Sequence, residues 1–476
     1  MEQVVSKELD YRPLLVSEPE YEFTRLFPQS GSTQTTVTAG GNDTIFEIPP
    51  SKAYNFGKSW FQFQFQLPAT ATNFGVAFAD FTPFFRQIQV YTRGGLYLMD
   101  HTNFHLHSKM VTKINKKIIE TLNSYNSAPG TASQSYLPCY SSNTLASANP
   151  RYQNTTAGNP NSVVSLADRN YTEPTYLIVG SAINTTTNLF VTIPFSELYE
   201  SILAVDKDIM LNETLLVRFV WSELSNIGFG APVGLTPGGS GLNPPTQVPV
   251  PLAGPVTPNV TNMEIHLAIE KNLAIVNNLQ QKISSAEGFS LMIPYCYQNQ
   301  ASLTGTNQSV TLRINRQNGM TLERIYHSIF IPGGGLIPGG TTTSYNTAIY
   351  NNNIASSNLD HFYTNLNNNK LMQYDYYTPQ SAQPGLDDYK ALRPILLNST
   401  VQSPNIHYYN WCWVEEFGDG TFDYNPDNVV TGIDLNLGEQ KWDFVGFIGV
   451  SANLIHQSTV VCKRKLVITA NGLVLV

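Results

Sequence analysis

Phe61, Phe63, Phe65 and Leu67 alternate with Gln62, Gln64 and Gln66, the period of two expected of a strand with one buried face. Leu215, Val217, Phe219 and Trp221 repeat that alternation. Around these segments one strand plan is written twice. Thr44-Ile45-Phe46-Glu47-Ile48-Pro49 precedes Trp60 to Leu67, and Phe85 to Tyr91 then closes on Arg93-Gly94-Gly95. In the second half Phe289-Ser290-Leu291-Met292-Ile293-Pro294 precedes Val310 to Asn315, and Glu323 to Phe330 closes on Pro332-Gly333-Gly334. Identities between the two series are few, so the echo lies in order and patterning. A duplicated all-β unit points to a building block rather than a catalyst.

The remaining pattern fills in the plan. Further strands are expected at Thr175 to Val179, Leu189 to Ile193, Ile406 to Val414, Trp442 to Val450 and Val460 to Thr469. The last reaches Asn471-Gly472, a two-residue hairpin signal, with Leu473 to Val476 returning. Two stretches carry helical spacing. Asp100 can cap a segment in which Met110, Ile114, Ile118 and Leu122 recur every fourth residue. Ile269, Leu273, Val276, Leu279 and Ile283 share a helical face between the two repeats, where a helix would bridge the halves. Turn-rich segments at Asn123 to Asn170, Gly228 to Pro258 and Pro332 to Gln383 exceed ordinary connection lengths. The first and third, rich in Tyr and Asn, are expected as ordered outer loops, and the Gly- and Pro-rich second as a mobile stretch.

Composition narrows the function classes. A chain of 476 residues is too long for one sandwich core and fits two large β-domains. Hydrophobic residues make up 42%, enough for real cores, whereas charged residues at 13% leave a surface of Asn, Gln, Ser, Thr and Tyr. The net charge is −8, and the first 22 residues contribute −4 of it, so there is no basic arm to condense nucleic acid. Lys463-Arg464-Lys465 is the tightest basic run and reads as a solvated strand edge rather than a localisation signal. Cys139, Cys296, Cys412 and Cys462 are dispersed, with no Cys-x-x-Cys pair, and read as free thiols. Met1 to Val5 lacks the basic-then-apolar order of a signal peptide, so Asn154, Asn184 and Asn398 are expected to be unglycosylated. Phe444 to Ile455, the longest mostly apolar run, is too short to span a bilayer.

Candidate chemistry is thin. His101 and His105 have the i, i+4 spacing of a metal pair with His107 nearby, but no His-Glu-x-x-His follows, and a helix-start cluster making ordinary hydrogen bonds is the preferred reading. Asp419, Asp423, Asn425 and Asp427 alternate like calcium ligands yet lack the Gly and the closing Glu of an EF-hand. Gly333-Gly334-Gly335 and Gly238-Gly239-Ser240-Gly241 are followed by no Lys-Ser/Thr, and Ser240 lies in no Gly-x-Ser-x-Gly. Glu415-Glu416 follows the aromatic strand His407 to Trp413, where carboxylates beside rings could line a sugar cleft. Large side chains on both faces of that strand mark more simply a strand covered on both sides. We therefore expect no catalytic, cofactor-binding or metal residue and no enzyme.

The strand series Thr44 to Ile48, Trp60 to Leu67 and Phe85 to Asp100, the helix before Gly288-Phe289-Ser290-Leu291, and Leu322-Glu323-Arg324-Ile325-Tyr326 together resemble the double jelly-roll major capsid proteins. The likeness is to those of Polinton-like viruses and virophages, and more distantly to the adenovirus hexon. It covers nearly the whole chain from Tyr21 and lies in strand order rather than invariant motifs. It implies an all-β fold of two consecutive eight-stranded jelly rolls with long surface loops and a few short helices. Its divisions are an N-terminal segment 1–20, a first jelly roll 21–270, a connecting helix 271–287 and a second jelly roll 288–476. It further implies a major capsid protein assembling as a homotrimeric, pseudo-hexameric capsomer in the virion of an icosahedral DNA virus. The partners would be neighbouring capsomers, penton and minor capsid proteins and an inner membrane, with no sequence-specific nucleic acid. A carbohydrate- or receptor-binding spike or lectin, and a β-sandwich glycoside hydrolase, are the alternatives.

Overall fold

A computed structural model describes residues 18–29, 35–36, 42–66, 74–77, 84–105, 107–108, 125–127, 134–138, 152–154, 163–165, 175–179, 188–222, 228–230, 259–315, 319–330, 359–371, 375–377, 412–417 and 432–476. The fold is all-β, with antiparallel sheets throughout and one regular helix of length among the described residues.

In the first half the strands are β1 (Tyr21–Leu26), β2 (Asp43–Ile48), β3 (Ala53–Gln66), β4 (Phe85–Thr92), β5 (Tyr97–Thr102), β6 (Asn188–Pro194), β7 (Asp208–Met210), β8 (Leu215–Trp221) and β9 (Asn259–Glu270). One sheet runs β1-β9-β3-β6, with β7 also on β3; a second runs β2-β8-β4-β5. Alternation decides which side chains meet between them. Phe61 pairs across to Ile193 and Ile265, all fully buried, while the neighbouring row of Gln62, Thr192 and Glu264 faces outward. Phe61 stacks on Phe219 of the opposite sheet at 4.6 Å, and Phe46, Phe63, Phe85 and Trp221 surround it at 5.4, 5.3, 6.0 and 6.5 Å. This aromatic cluster cements the two layers.

The first-half helix expected after Asp100 falls largely outside the described residues, but its cap does not form. Asp100 is a strand residue of β5 and accepts hydrogen bonds from Gln87 and Gln89 of β4 at 2.7 and 3.1 Å. The inter-repeat helix exists as α1 (Leu273–Ser284), capped by the Asn272 side chain on the Ala274 amide at 3.0 Å. It begins later than its apolar spacing predicts. Ile269 belongs to β9, paired with Tyr54 and Glu22, because a strand that completes the sheet outcompetes one extra helical turn.

The second half is built on β10 (Phe289–Ile314), β11 (Met320–Phe330), β12 (Leu359–Leu366), β13 (Cys412–Glu416), β14 (Ile433–Asp434), β15 (Gln440–Thr469) and β16 (Gly472–Leu475). The separate segments expected within 289–315 and 442–469 are two continuous strands, paired from Phe289 against Ile468 to Ile314 against Gln440. On its other edge β15 takes β12 along residues 442–448 and β11 along 455–464. Trp442 and His456 lie 14 residues apart on β15, a separation of about 45 Å in a straight strand. Their rings stack at 5.4 Å. The ribbon is therefore folded over on itself, at the register break of Gly305 and Asn307, so that a single strand pair supplies both layers. The Asn471-Gly472 hairpin forms as expected, with Thr469 opposite Gly472. Leu359–Leu366 shows that the segment expected as the outer loop 332–383 contains a strand. Short strands Tyr125–Ser127, Gln134–Pro138, Tyr152–Asn154 and Val163–Ser165 likewise lie within 123–170, and Gly228–Gly230 within 228–258.

One apolar core crosses from half to half. Leu203, Ile209, Leu211, Ile275, Leu279 and Ile283 join Phe289, Leu291, Ile293, Leu466 and Ile468 in a single buried cluster. Burial of this kind contributes roughly 25 cal/mol per Å² of apolar surface, so the halves hold each other.

Candidate functional site: a buried polar seam between the halves

Beside that shared core the contact between the halves turns polar. Glu200 lies between two single-turn 3-10 segments, Phe195–Glu197 and Ile202–Ala204. Its backbone is left-handed, φ +58°; of the six such non-glycine residues among those described, four are Asn and one is Ser. A long, β-carbon-bearing side chain in this region costs on the order of 1–3 kcal/mol unless its surroundings impose it. The surroundings are the second half. Tyr326 Oη donates to Glu200 Oε1 at 3.1 Å, Arg324 Nη1 stands 3.6 Å from the same oxygen, and the Cys296 thiol faces the Glu200 carbonyl at 3.4 Å.

Charge is balanced within the seam. Arg324 Nη2 is 3.8 Å from Glu323 Oε2, and Lys463 Nζ is 3.0 Å from Glu323 Oε1, giving two buried carboxylates against two buried cations. Desolvation of Glu200 outweighs the pull of Arg324, and its carboxyl is raised above the usual glutamate range. Lys463 is thus no solvated strand edge, the reading its basic run suggested. It sits on the central strand β15, buried at 5% exposure, because Glu323 neutralises it.

Three histidines line the first-half side of the same seam. His101 is the penultimate residue of β5, and His105 and His107 follow in a helical turn; all three are buried. The ring of His107 meets His101 edge-on at 5.2 Å and, across the seam, Tyr326 at 5.2 Å. The expected ordinary hydrogen bonds are not made by His101 and His107, whose four ring nitrogens have no partner among the described residues. Burial pushes His101 down to about 4 and His105 down to about 3, and His107 lies well below its ordinary value, with His101 adding repulsion. All three are neutral at physiological pH. Among the described residues no group of three or more His, Cys, Asp or Glu side chains could hold a metal ion.

Glu415 resides elsewhere, inside the second half. Thr364 Oγ1 donates to its Oε1 and Trp442 Nε1 to its Oε2, each at 2.5 Å. His327 Nε2 lies 3.4 Å from Oε2, while His327 Nδ1 and His456 Nε2 share a hydrogen bond at 3.2 Å. One of these rings must donate and the other accept, which fixes complementary tautomers. The carboxylate is enclosed and both oxygens are engaged, an arrangement that locks β11, β12, β13 and β15 together rather than presenting an acid to substrate. The side chain of Glu416, the other carboxylate of the expected cleft, lies outside what the structure describes.

Asp419, Asp423, Asn425, Asp427, both Gly-rich runs, Ser240, His407 to Trp411, Cys139, Asn184 and Asn398 lie outside the described residues. Cys296 and Cys462 are buried free thiols, as expected. Phe444 to Ile455 belongs to a strand, and among the described residues no helix is long and apolar enough to cross a membrane. The sequence pattern places Glu323, Arg324 and Tyr326 in a strand without marking them as a site, and leaves Glu200 unmarked. Glu323-Arg324 set between Leu322 and Ile325 is a readable signal of buried paired charge; Glu200, flanked by Leu198, Ile202 and Leu203, is a fainter one.

No family model and no curated protein matches the sequence. Solved structures match it from end to end. The Faustovirus major capsid protein aligns at 14% identity and a TM-score of 0.55, over 96% of this chain and 92% of that one. The PBCV-1 virus capsid aligns at 10% identity and a TM-score of 0.54, over 98% of each chain. The mavirus major capsid protein aligns at 8% identity and a TM-score of 0.50, over 99% of this chain and 94% of that one. At such identities the likeness is one of fold, and the chain has the all-β, two-unit fold of these proteins.

Proposed function

We propose that the protein is the major capsid protein of an icosahedral virus and performs no catalysis. Its units are a first jelly roll over 21–270 and a second over 288–476, joined through the helical connection 271–287. Three copies would place six similar units around one axis, giving a threefold capsomer of sixfold outline that tiles a closed shell through near-equivalent contacts. The observation that carries this reading is the extent of the structural likeness. It runs through both units and leaves almost nothing over on either chain, 98% and 98% against the PBCV-1 capsid. A shared single domain would leave the second unit unexplained.

The seam supports the same reading. Wall material needs a fixed angle between its two units, and a shared apolar core beside a neutralised polar contact provides one. Neighbouring capsomers and penton and minor proteins are the partners this role brings, an inner membrane being optional to it, and the location is the virion. The acidic balance of −8 agrees with a shell that does not itself bind nucleic acid specifically.

Light scattering of the purified chain should give about three times its mass of 52.8 kDa. Electron micrographs should reveal hexagonal capsomers or closed particles. A persistent monomer that binds glycan without assembling would replace this reading with a receptor-binding β-protein, and polysaccharide turnover would replace it with a hydrolase.

A further inference from the structure

We propose that the seam between the two halves is an acid-released latch, held shut by Glu200 and opened when His101 and His107 take up protons. The latch operates within one chain and does not depend on assembly. Its geometry has two parts. Glu200 crosses from a strained backbone to Tyr326 and Arg324 of the second half. Two neutral rings without hydrogen-bond partners press against that same Tyr326 from the side of β5, His107 in direct contact and His101 behind it. An imidazolium in that place would be a buried charge beside a second histidine, set against an aromatic ring rather than a carboxylate.

The other charged and titratable groups around the latch do not supply a ready counterion. On the first-half side they are His105 and Arg86, whose positive charge further disfavours protonated His105 while its backbone accepts a hydrogen bond that favours it. On the second-half side they are Arg324 and Glu323 of β11, Lys463 of β15 and Cys296 of β10. Asp100 and Arg464 act on neighbouring Tyr295. The carboxylates of Glu200 and Glu323 are already matched by Arg324 and Lys463, so a new cation adds net positive charge to the seam.

The direction of the pH response follows from linkage. A histidine depressed in the closed state contributes stability that is complete above its ordinary value of 6.5 and is lost as pH falls toward its closed-state value, for His101 about 4. His105 and His107 act in the same direction. Glu200 opposes them: a carboxyl raised in the closed state favours closure in acid and loses that contribution as pH rises. Three groups stand against one. His101 alone raises the opening equilibrium about 30-fold between pH 7.5 and pH 5.

Two cysteines already in the chain read the latch. On the paired strands β10 and β15, Cys296 stands opposite Val461 and Cys462 opposite Tyr295, which places the two sulfurs on opposite faces. Cys296 faces the seam at Glu200, and Cys462 is buried on the other side. The full chain is incubated from pH 7.5 to pH 4.5 with a dipyridyl disulfide, which reacts with thiols in acid, and labelling is resolved by site with mass spectrometry. The expected result is a rise of about tenfold or more in Cys296 labelling by pH 5, with Cys462 still protected. The His101→Gln/His107→Gln protein, which keeps only His105 of the three depressed histidines, should show a smaller rise than the unaltered chain, and Glu200→Gln should steepen the rise by removing the opposing group. Cys296 protected down to pH 4.5 would overturn the latch, as would Cys462 reacting in step with Cys296, which signals unfolding of the whole half. Should the double variant fail to fold, the ratio of the two cysteines in the unaltered chain still decides.

Discussion

Replacing Arg324 by Met removes one of two cations from a seam that holds two buried carboxylates. Glu200 and Glu323 would then share Lys463 alone. A single unpaired buried charge costs about 3–5 kcal/mol. Glu200→Gln is milder, about 1–3 kcal/mol, because the amide oxygen still accepts from Tyr326. At 3.6 Å and an effective dielectric of about 20, the Arg324–Glu200 attraction is worth about 5 kcal/mol before desolvation. Arg324 also faces Glu323 at 3.8 Å and Glu200 is partly neutralised by its raised pKa, so the measurable coupling should fall to about 2–3 kcal/mol. Urea unfolding of the single and double variants, followed by the fluorescence of buried Trp221 and Trp442 at one protomer concentration, closes the cycle. The double variant should be more stable than the sum of the single losses predicts. Additivity within about 0.5 kcal/mol would mean that the two charges do not feel each other and that the seam is held by its apolar part.

Phe61→Ala should cost about 3–5 kcal/mol in the same assay, since the ring is fully buried and contacts both sheets of the first half. Glu415→Gln should cost about 1–3 kcal/mol without abolishing any turnover, because one amide oxygen cannot replace two carboxylate oxygens that accept from Thr364 and Trp442; an unchanged urea midpoint would refute those contacts. Gly432→Ala should lower the thermal midpoint well beyond Gly95→Ala. Both positions have positive φ, but only at Gly432 would the new methyl strike a backbone carbonyl, that of Leu322.

Where local and tertiary preferences agree, the fold could be read directly from the residues. Phe61 and Phe63 turn inward as their alternation requires, α1 follows its apolar stripe, and Asn471-Gly472 makes its hairpin. The misreadings share one physical origin, the neighbouring strand. Asp100 looks like a helix cap until Gln87 and Gln89 bind it from β4. Ile269 fits a helical face until Tyr54 and Glu22 extend the sheet past it. Lys463 looks solvent-facing because the Glu323 that neutralises it lies 140 positions away in the chain. The folded-over ribbon was equally hidden, since the corner near Gly305 reads locally as a place where one strand stops and another begins. For the seam, Glu323-Arg324 carried the clearest trace, and the three histidines were legible as a cluster without their setting. Glu200 is defined by partners that no local window contains.

The pairing of β10 with β15 also sets a timetable for synthesis. The first half closes on itself when Glu270 has emerged, because β9 is the last strand its main sheet needs. Its polar seam then waits. Phe289–Ile314 follows at once but has no strand to pair with until the chain reaches Gln440–Thr469, about 200 residues after Glu270. At ordinary translation speeds of about 5–20 residues per second, that interval is roughly 10–40 s. Throughout it Glu200, His101 and His107 face water, and the apolar rows of β10 lack their cover. A cell making this protein in quantity carries a standing population of half-finished chains that need shielding until the ribbon zips.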